Sequence, residues 1–193
     1  MLYLLCTEGI AEFDLSTGHF VTLLRGDVNS IYYCDGLFIG IDNKIYKYDE
    51  GSKNFNLYRT IADRTIEICC ICRQDNSLWG GTNNKGVYRM DIATGVVTHP
   101  ITSGNITSIY KDKEGELWVG SWNDGLYHVF PDGHIENLRH DENDVQSLSS
   151  DFVRACCEDN QGNIWVGTFK GLNKLAKGTY KFQHYLAESN KRE

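Results

Sequence analysis

The sequence has no long apolar segment and no concentration of positive charge. No run of apolar residues approaches the roughly 20 that a helix needs to span a bilayer. Lysine and arginine number 19 against 26 aspartate and glutamate residues, which gives a net charge of −7. Because nucleic-acid backbones are bound by clustered cations, this balance argues against a nucleic-acid partner. Only 2 prolines are present beside 19 glycines, a composition that suits many short strands joined by tight turns.

A recognisable export signal is also missing. The start, Met1 to Cys6, is too short for the apolar core of a signal peptide, and no basic segment precedes it. If the parent protein is exported or membrane-bound, we expect those signals, and any contact with a membrane, to lie outside this chain.

Motifs for catalysis and cofactor binding are absent as well. The sequence has no glycine-rich phosphate loop and no nucleophile elbow. Glycosidases need two carboxylates at a controlled separation, and no such pair is evident. The segment Asp159 to Gly162 lacks the distal glutamate of a calcium loop. We therefore predict no catalytic residue, no metal site and no cofactor. The scattered histidines are interpreted as surface residues: His19, His99, His128, His134, His140 and His184.

The seven cysteines do not form the pattern of a disulfide framework. Their number is odd, and five of them crowd into the stretches 69–72 and 156–157. Cys-Cys-x-Cys at 69–72 has no histidine or second cysteine pair at the spacing of a metal site. We interpret these residues as buried thiols that act as small apolar side chains.

A short pattern recurs along the chain: an apolar residue, an aromatic residue, an apolar residue and usually glycine. It occurs at Leu37-Phe38-Ile39-Gly40, Leu78-Trp79-Gly80-Gly81, Leu117-Trp118-Val119-Gly120 and Ile164-Trp165-Val166-Gly167, with a degenerate copy from Leu2. By subtraction, the aromatic positions 3, 38, 79, 118 and 165 are 35, 41, 39 and 47 residues apart. Repeats of about 40 residues with several short strands each predict an all-β fold, a β-propeller of four-stranded antiparallel blades.

The repeat divides the chain into blades, treated as one propeller domain or fragment. The predicted boundaries are 1–27, 28–64, 65–104, 105–150 and 151–186, followed by a polar tail at 187–193. The first blade begins at its second strand, so it has three strands.

Four rings and two turns are predicted to have structural roles. Phe38, Trp79, Trp118 and Trp165 should fill the wedge between neighbouring blades, and burial of each ring contributes about 1.5–3 kcal/mol. The glycine two residues after each ring lets backbones approach closely. In the hairpins Asp112 to Gly115 and Asp159 to Gly162, the aspartate accepts backbone hydrogen bonds and the glycine supplies a positive φ. In the third blade we expect Asn76 to take the place of the glycine.

These residues resemble the regulator-propeller repeat of hybrid two-component systems. The fifth blade reads Val153 to Thr168 with Asp159, Gly162 and Trp165 in register, then Gly171-Leu172-Asn173, and the segment 140–151 resembles the family's linker between blades. The fourth blade matches closely and the third fairly, whereas the first two lack the tryptophan. The resemblance is therefore most specific in residues 66–175.

The resemblance implies a non-catalytic periplasmic sensor segment. Proteins of this family, mostly from gut Bacteroidetes such as Bacteroides, place long propellers ahead of a membrane helix, a histidine kinase and further parts, and respond to oligosaccharides. Kinase activity would then belong to the parent and not to this chain. Family propellers usually have seven blades, so we expect a fragment of a larger ring, or else an unusual five-bladed closure. An open arc would expose apolar faces, which predicts self-association or packing against neighbouring blades of the parent.

Ligands of propellers commonly bind where the loops after the second strands gather with the connections between blades. The candidate ligand-binding residues there are Trp122, Asn123, Asp124, Asn83, Asn84, Lys85, Phe169 and Lys170, with Asp42, Asn43 and the connection 139–150 nearby. An aromatic ring beside amides and charges suits a sugar. Trp122 lies outside the repeated tryptophan position; the alternative is that its ring packs under the 139–150 connection.

Three functions compete at this point. The first is a non-catalytic sensor segment that responds to an oligosaccharide. The second is a fragment of a carbohydrate-active propeller enzyme, a lyase or a glycosidase. The third is a protein-binding propeller scaffold. The lack of a catalytic pair and the family-like linker favour the sensor.

Overall fold

The computed structural model describes residues 1–185, in which every regular element is a β-strand. The chain forms two compact units, Met1–Ile101 and Thr102–Glu193. Within residues 1–185, no helix has the length and apolar character needed to cross a membrane. The predicted polar tail, 187–193, and the last residue of the fifth predicted blade lie outside the described residues.

The first unit contains three antiparallel sheets in which each strand pairs with the next along the chain. Sheet I consists of β1 (Leu2–Cys6), β2 (Gly9–Phe13) and β3 (Phe20–Arg25). Sheet II consists of β4 (Ser30–Tyr33), β5 (Leu37–Ile41), β6 (Lys44–Asp49) and β7 (Asn54–Thr60). Sheet III consists of β8 (Ile68–Gln74), β9 (Ser77–Thr82), β10 (Val87–Asp91) and β11 (Val97–Ile101).

The second unit contains two four-stranded sheets of the same kind. Sheet IV consists of β12 (Ile106–Lys111), β13 (Leu117–Ser121), β14 (Leu126–Val129) and β15 (Ile135–Leu138). Sheet V consists of β16 (Val153–Glu158), β17 (Ile164–Thr168), β18 (Gly171–Leu175) and β19 (Phe182–Tyr185). The all-β fold of antiparallel blade sheets predicted from the repeat is confirmed. The number of blades in a closed ring stays a prediction.

The first strands of sheets III, IV and V share one irregularity. Each begins with a buried β-branched residue, Ile68, Ile106 or Val153, and each shifts register within the next two residues. A β-bulge of this kind bends the strand and increases its local twist. The repeat therefore fixes the shape of the first strand as well as the position of the ring on the second.

Rings on the second strands pack between sheets, within each unit. Phe38 of sheet II is buried in a core with Ile68, Ile71 and Leu78 of sheet III. Trp118 of sheet IV is buried in a second core with Val153, Ile164, Val166, Leu175 and Phe182 of sheet V. Because each ring belongs to a core formed by side chains of both sheets, its burial helps to join them.

The two remaining rings have different surroundings. Trp79 is buried, and the guanidinium carbon of Arg89 lies 5.4 Å from the centre of its ring system. Trp165 is only partly buried; its ring lies 5.3 Å from Tyr185 and 5.5 Å from Nζ of Lys174.

The turns of sheets IV and V hold their tryptophans through an aspartate. Oδ1 of Asp112 accepts hydrogen bonds from the backbone N–H groups of Glu114 (3.0 Å) and Glu116 (2.9 Å), and Oδ2 accepts one from Nε1 of Trp118 (2.9 Å). Asp159 likewise accepts hydrogen bonds from the backbone of Gln161 and Asn163 and, at 2.9 Å, from Nε1 of Trp165. These contacts hold the pKa of Asp159 well below its usual range, chiefly through hydrogen bonds from Asn163 and Trp165. Gly115 and Gly162 have φ values of 86° and 83°.

The turn of sheet III is built differently. The prediction that Asn76 takes the left-handed conformation is wrong; the residue with positive φ is Asp75, at 50°. Gln74 pairs directly with Ser77, so the hairpin has only two loop residues. Arg73, and not an aspartate, stands six residues before Trp79, and Nε1 of Trp79 has no hydrogen-bond partner within residues 1–185.

Burial of the cysteines is uneven. Cys72 is buried as predicted, whereas Cys6 and Cys157 are exposed, and the prediction of a buried apolar role is wrong for these two. Successive residues of a strand face opposite sides of the sheet, so Cys156 and Cys157 on β16 cannot both face the core. Cys156 packs against the core of the second unit, and burial raises the pKa of its thiol to about 12.

Gly120 and Gly167 occupy the same repeat position but differ in their surroundings. A methyl group on Gly120 would lie 2.7 Å from both Oγ of Ser108 and Cγ1 of Val153, whereas on Gly167 its nearest neighbour would be the carbonyl oxygen of Ala155 at 3.8 Å. We expect Gly120→Ala to lower the free energy of unfolding by about 1–3 kcal/mol through overpacking. Gly167→Ala, the matched control, should change it by less than about 0.5 kcal/mol. Urea denaturation measures both, and equal effects would contradict the close approach at Gly120.

Asp112 should contribute more to the free energy of unfolding than an ordinary turn aspartate does. Asp112→Ala removes three hydrogen bonds and leaves Nε1 of a buried tryptophan without its acceptor, so we expect a loss of about 2–4 kcal/mol in unfolding free energy. The control is Asp132→Ala, because the Asp132 carboxylate accepts one exposed hydrogen bond, from the backbone of His134. The loss of this hydrogen bond should lower the free energy of unfolding by about 1 kcal/mol or less. A result in which the two variants are equally stable would show that the bond to Trp118 contributes nothing.

Candidate functional site

Three rings lie beside one another in the second unit, at the ends of β13 and β17. Trp122 follows β13 and Phe169 follows β17, while Phe152 precedes β16. Backbone hydrogen bonds fix the loops: the N–H of Trp122 donates to the carbonyl of Asn105 (2.8 Å), and the N–H of Phe169 donates to the carbonyl of Phe152 (3.0 Å). We call Trp122, Phe152, Phe169 and Arg154 the aromatic platform.

The rings of the aromatic platform contact each other edge to face and remain open to solvent. The centroids of Trp122 and Phe152 are 4.1 Å apart, and those of Phe152 and Phe169 are 5.8 Å apart. Trp122 is 42% exposed and Phe169 is 80% exposed. The ring of Trp122 packs against Phe152; the alternative, that it packs under the 139–150 connection, stays a prediction. Exposed neighbouring rings of this kind are a common feature of binding surfaces.

A cation lies beside these rings. The guanidinium carbon of Arg154 is 5.4 Å from the Trp122 ring and 5.3 Å from the Phe152 ring. Arginine stacks on aromatic faces and still presents N–H donors at its edge. The platform therefore combines apolar ring surface with a positively charged donor.

The predicted residues Asn123 and Asp124 are held next to Trp122 by an ion-pair network. Nη2 of Arg139 donates to the carbonyl of Asn123 (2.9 Å) and to Oδ2 of Asp151 (2.9 Å). Nη1 of Arg139 lies 3.9 Å from Oδ1 of Asp124, whose own N–H donates to Oγ of Ser121 (2.7 Å). The loop after β13 is thereby tied to the 139–150 connection and to Asp151. Lys170, also predicted, follows Phe169 and is exposed.

The other predicted ligand residues, Asn83, Asn84 and Lys85, belong to the first unit. Nδ2 of Asn83 donates to Oε2 of Glu67 (2.9 Å), and Nζ of Lys85 donates to Oδ2 of Asp63 (2.7 Å). The hydrogen bonds from Lys85 and Thr65 hold the pKa of Asp63 well below its usual range. Lys85 and the amide nitrogen of Asn83 are thus engaged in local pairs, whereas Oδ1 of Asn83 is buried without a hydrogen-bond partner within residues 1–185, and Asn84 is exposed.

Asp42 and Asn43 have turn roles in sheet II. Nδ2 of the buried Asn43 donates to the carbonyl of Ile61 at 2.6 Å, and Asp42 has a left-handed backbone with φ of 50°. Both line a cavity of ≈ 490 Å³ in the first unit.

The 139–150 connection is anchored by one apolar residue and several polar bonds. Leu148 is completely buried, and its carbonyl lies 2.7 Å from Nδ1 of His140. The N–H of Ser149 donates to Oδ1 of the buried Asn173 (2.9 Å). This arrangement fixes the chain ahead of Phe152 and so positions the platform.

A second concave feature lies at the opposite ends of β13 and β17, where the turns of Asp112 and Asp159 are. We call it the turn-end cleft; its volume is ≈ 250 Å³, and its lining includes Glu114, Glu116, Trp118, His128, Glu158 and Tyr180. Sequence reasoning missed this cleft because its residues come from separate turns that only the folded sheets bring together.

His128 lines the turn-end cleft and is not a surface residue, so that prediction is wrong. It is 5% exposed, and its ring stacks on Trp118 at 3.9 Å with an interplanar angle of 11°. The cause is strand register, since Trp118 pairs directly with His128 and both side chains therefore lie on the same face of sheet IV. Nε2 of His128 lies 2.7 Å from Oε2 of Glu116.

Phe152 and Arg154 were also missed by the sequence reasoning. They lie just before and within β16, beyond both the loops after the second strands and the 139–150 connection from which the candidate residues were taken. Their spacing was the signal that could have revealed them. Phe152 and Arg154 are two residues apart on an extended segment, so their side chains lie on the same side of it.

Comparison with known proteins gives a family for part of the chain. Residues 100–123 and 147–170 match the two component regulator propeller family. These segments contain Asp112, Trp118 and Trp122 in one copy and Asp159, Trp165 and Phe169 in the other.

A curated relative and two solved structures are similar over much of the chain. The relative is histidine kinase P4 of Formosa agariphila, 38% identical over an alignment of 146 residues; the match covers 70% of this chain and 10% of the kinase. The extracellular domain of a putative hybrid two component system of Bacteroides thetaiotaomicron superposes with a TM-score of 0.69 at 25% identity, covering 88% of this chain and 24% of that one. The extracellular domain of another putative hybrid two component system from the same organism superposes with a TM-score of 0.76 at 20% identity. The match covers 89% of this chain and 25% of that one.

Proposed function

We propose that this chain, which carries regulator-propeller repeats at residues 100–123 and 147–170, is a non-catalytic segment of the sensor region of a hybrid two-component system. The observation that carries the proposal is the pair of repeats. In each repeat the aspartate accepts a hydrogen bond from the indole N–H of the tryptophan six residues later. The chain spans only 10% of the related kinase and about a quarter of the similar extracellular domains, so signalling is a property proposed for a longer parent.

The proposal extends to a periplasmic location and to an oligosaccharide as the signal. The similar solved structures are described as extracellular domains, which supports a location outside the cytoplasm. Support for a sugar comes from the aromatic platform. Its exposed rings offer flat apolar surface for the C–H faces of a sugar, and Arg154 and Asp124 offer a donor and an acceptor for hydroxyl groups.

A non-catalytic role is consistent with how the carboxylates of the repeats are used. Asp112 and Asp159 are engaged by backbone N–H groups and by indole N–H groups, and Asp151 is paired with Arg139. Hydrolysis of a glycosidic bond requires two carboxyl groups that act on the substrate. Engaged carboxylates are poorly suited to that task, so binding without turnover is the expected behaviour.

Calorimetric titration of the chain with a panel of oligosaccharides tests this function. We expect at least one to bind, and we expect Trp122→Ala to weaken its binding about tenfold, because an exposed ring that stacks on a sugar is lost. Phe20→Ala is the control, since it removes another exposed ring, one that lies in sheet I. The control should bind as the unchanged chain does.

Two results would contradict the proposal. One is the absence of binding to every oligosaccharide tested. The other is the release of new reducing ends during incubation, abolished by substitution of a single aspartate; that result would favour the carbohydrate-active enzyme.

A further inference from the structure

The aromatic platform carries a cation that no carboxylate within residues 1–185 neutralises. The guanidinium carbon of Arg154 lies 5.4 Å from the Trp122 ring and 5.3 Å from the Phe152 ring, and Arg154 is exposed. Over the same residues, the guanidinium group of Arg154 takes part in no salt bridge and no hydrogen bond. Its N–H donors are therefore available to a ligand.

The two rings restrict where this guanidinium group lies. Trp122 and Phe152 meet at an interplanar angle of 69°, and the cation is attracted to both. A side chain that is already held in place loses less conformational freedom when it binds a ligand. The planar guanidinium group can donate two parallel hydrogen bonds to the oxygens of a carboxylate or a sulfate. The platform thus presents a pre-positioned donor for an oxyanion beside exposed rings.

Arg154 occupies the β-bulge near the start of β16. Pairing with β17 shifts register between Val153 and Ala155, so Arg154 is the extra residue of the bulge. The same bulge in sheets III and IV carries Cys69 and Thr107, neither of which has a cationic side chain. The bulge itself therefore does not require a cation, and the arginine of sheet V calls for a separate explanation.

The charge around the platform is opposite in sign to that of the whole chain. Asp124 and Asp151 share Arg139, which donates to Oδ2 of Asp151 at 2.9 Å and lies 3.9 Å from Oδ1 of Asp124. Lys170, in the loop after β17, is exposed and has no salt bridge within residues 1–185. With Arg154, this group contains three cations and two carboxylates, whereas the chain as a whole has a net charge of −7. The unpaired charge beside the rings therefore favours an anionic ligand.

We propose that the aromatic platform binds an acidic oligosaccharide, with a sugar ring against the exposed surface of Trp122 and Phe169 and a carboxylate or sulfate group of the ligand paired with Arg154. This inference rests on the proposed oligosaccharide binding and adds the charge of the ligand to it. A neutral sugar would contact the rings but would leave the positive charge of the guanidinium group without a partner. An acidic sugar satisfies the rings and the cation together.

The test compares acidic oligosaccharides with neutral counterparts that share their backbone. Oligomers of galacturonate and of mannuronate are paired with their carboxyl-reduced forms, and a sulfated oligogalactose is paired with its desulfated form. Each is titrated into the chain near neutral pH and at low salt, with calorimetry as the readout. We expect at least one acidic oligosaccharide to bind about fivefold or more tightly than its neutral counterpart. High salt should weaken binding of the acidic form alone, because salt screens its attraction to Arg154.

Arg154→Gln removes the charge and keeps a polar side chain. It should weaken binding of the acidic oligosaccharide about fivefold, the upper end of what one exposed ion pair contributes, and change binding of the neutral form less than about twofold. Arg25→Gln is the matched control, because Arg25 is an exposed arginine of sheet I without a salt bridge within residues 1–185. Urea denaturation verifies that each variant is folded. If Arg154→Gln does not fold, Lys170→Gln takes its place with a smaller expected loss.

The outcomes separate this inference from the function on which it rests. If no oligosaccharide binds, or if Trp122→Ala leaves binding unchanged, the proposed function fails and the inference fails with it. If sugars bind through Trp122 but acidic and neutral counterparts bind equally well, the inference alone is overturned. It is also overturned if the folded Arg154→Gln variant, or Lys170→Gln in its place, binds the acidic form as the unchanged chain does or loses affinity equally for both forms. An equal loss in Arg25→Gln would show that binding follows overall charge and not the platform.

Discussion

The burial of one large ring between two neighbouring sheets is the interaction on which each unit depends. Phe38 does this between sheets II and III, and Trp118 does it between sheets IV and V. The apolar face of a sheet must be buried against another element, so stability requires contact with the next sheet. The ring supplies that contact at a single position of a repeat, which is why the pattern stands out in a chain of otherwise variable sequence.

A tryptophan at this position brings an indole N–H that must be accommodated where little water is present. Sheets IV and V solve this with an aspartate that begins the preceding turn and accepts the N–H, so the turn and the core depend on each other. Sheet II uses Phe38, which has no such group. Sheet III keeps the indole of Trp79 without that acceptor because its hairpin is two residues long and has no aspartate at the equivalent place.

The all-β fold, the strand order and the importance of the turn aspartates followed from the sequence because they depend on local patterns. Alternation, β-branched residues and Asp-x-x-Gly turns are all set by neighbouring residues. The sequence indicated Trp122 and Phe169 as candidate ligand residues, since both follow a recognisable strand. It did not indicate Phe152, Arg154 or the buried state of His128. Those depend on register and on packing between sheets, which bring together residues 12 positions apart (Glu116 and His128) and, by subtraction, 32 positions apart (Trp122 and Arg154).

The strands β13 and β17 each carry an aromatic platform residue at one end and an acidic turn at the other. Each has five residues, and a strand rises about 3.3 Å per residue, so the two ends are separated by roughly 15 Å of hydrogen-bonded backbone. The two strands therefore hold the aromatic platform and the acidic turns at a fixed separation.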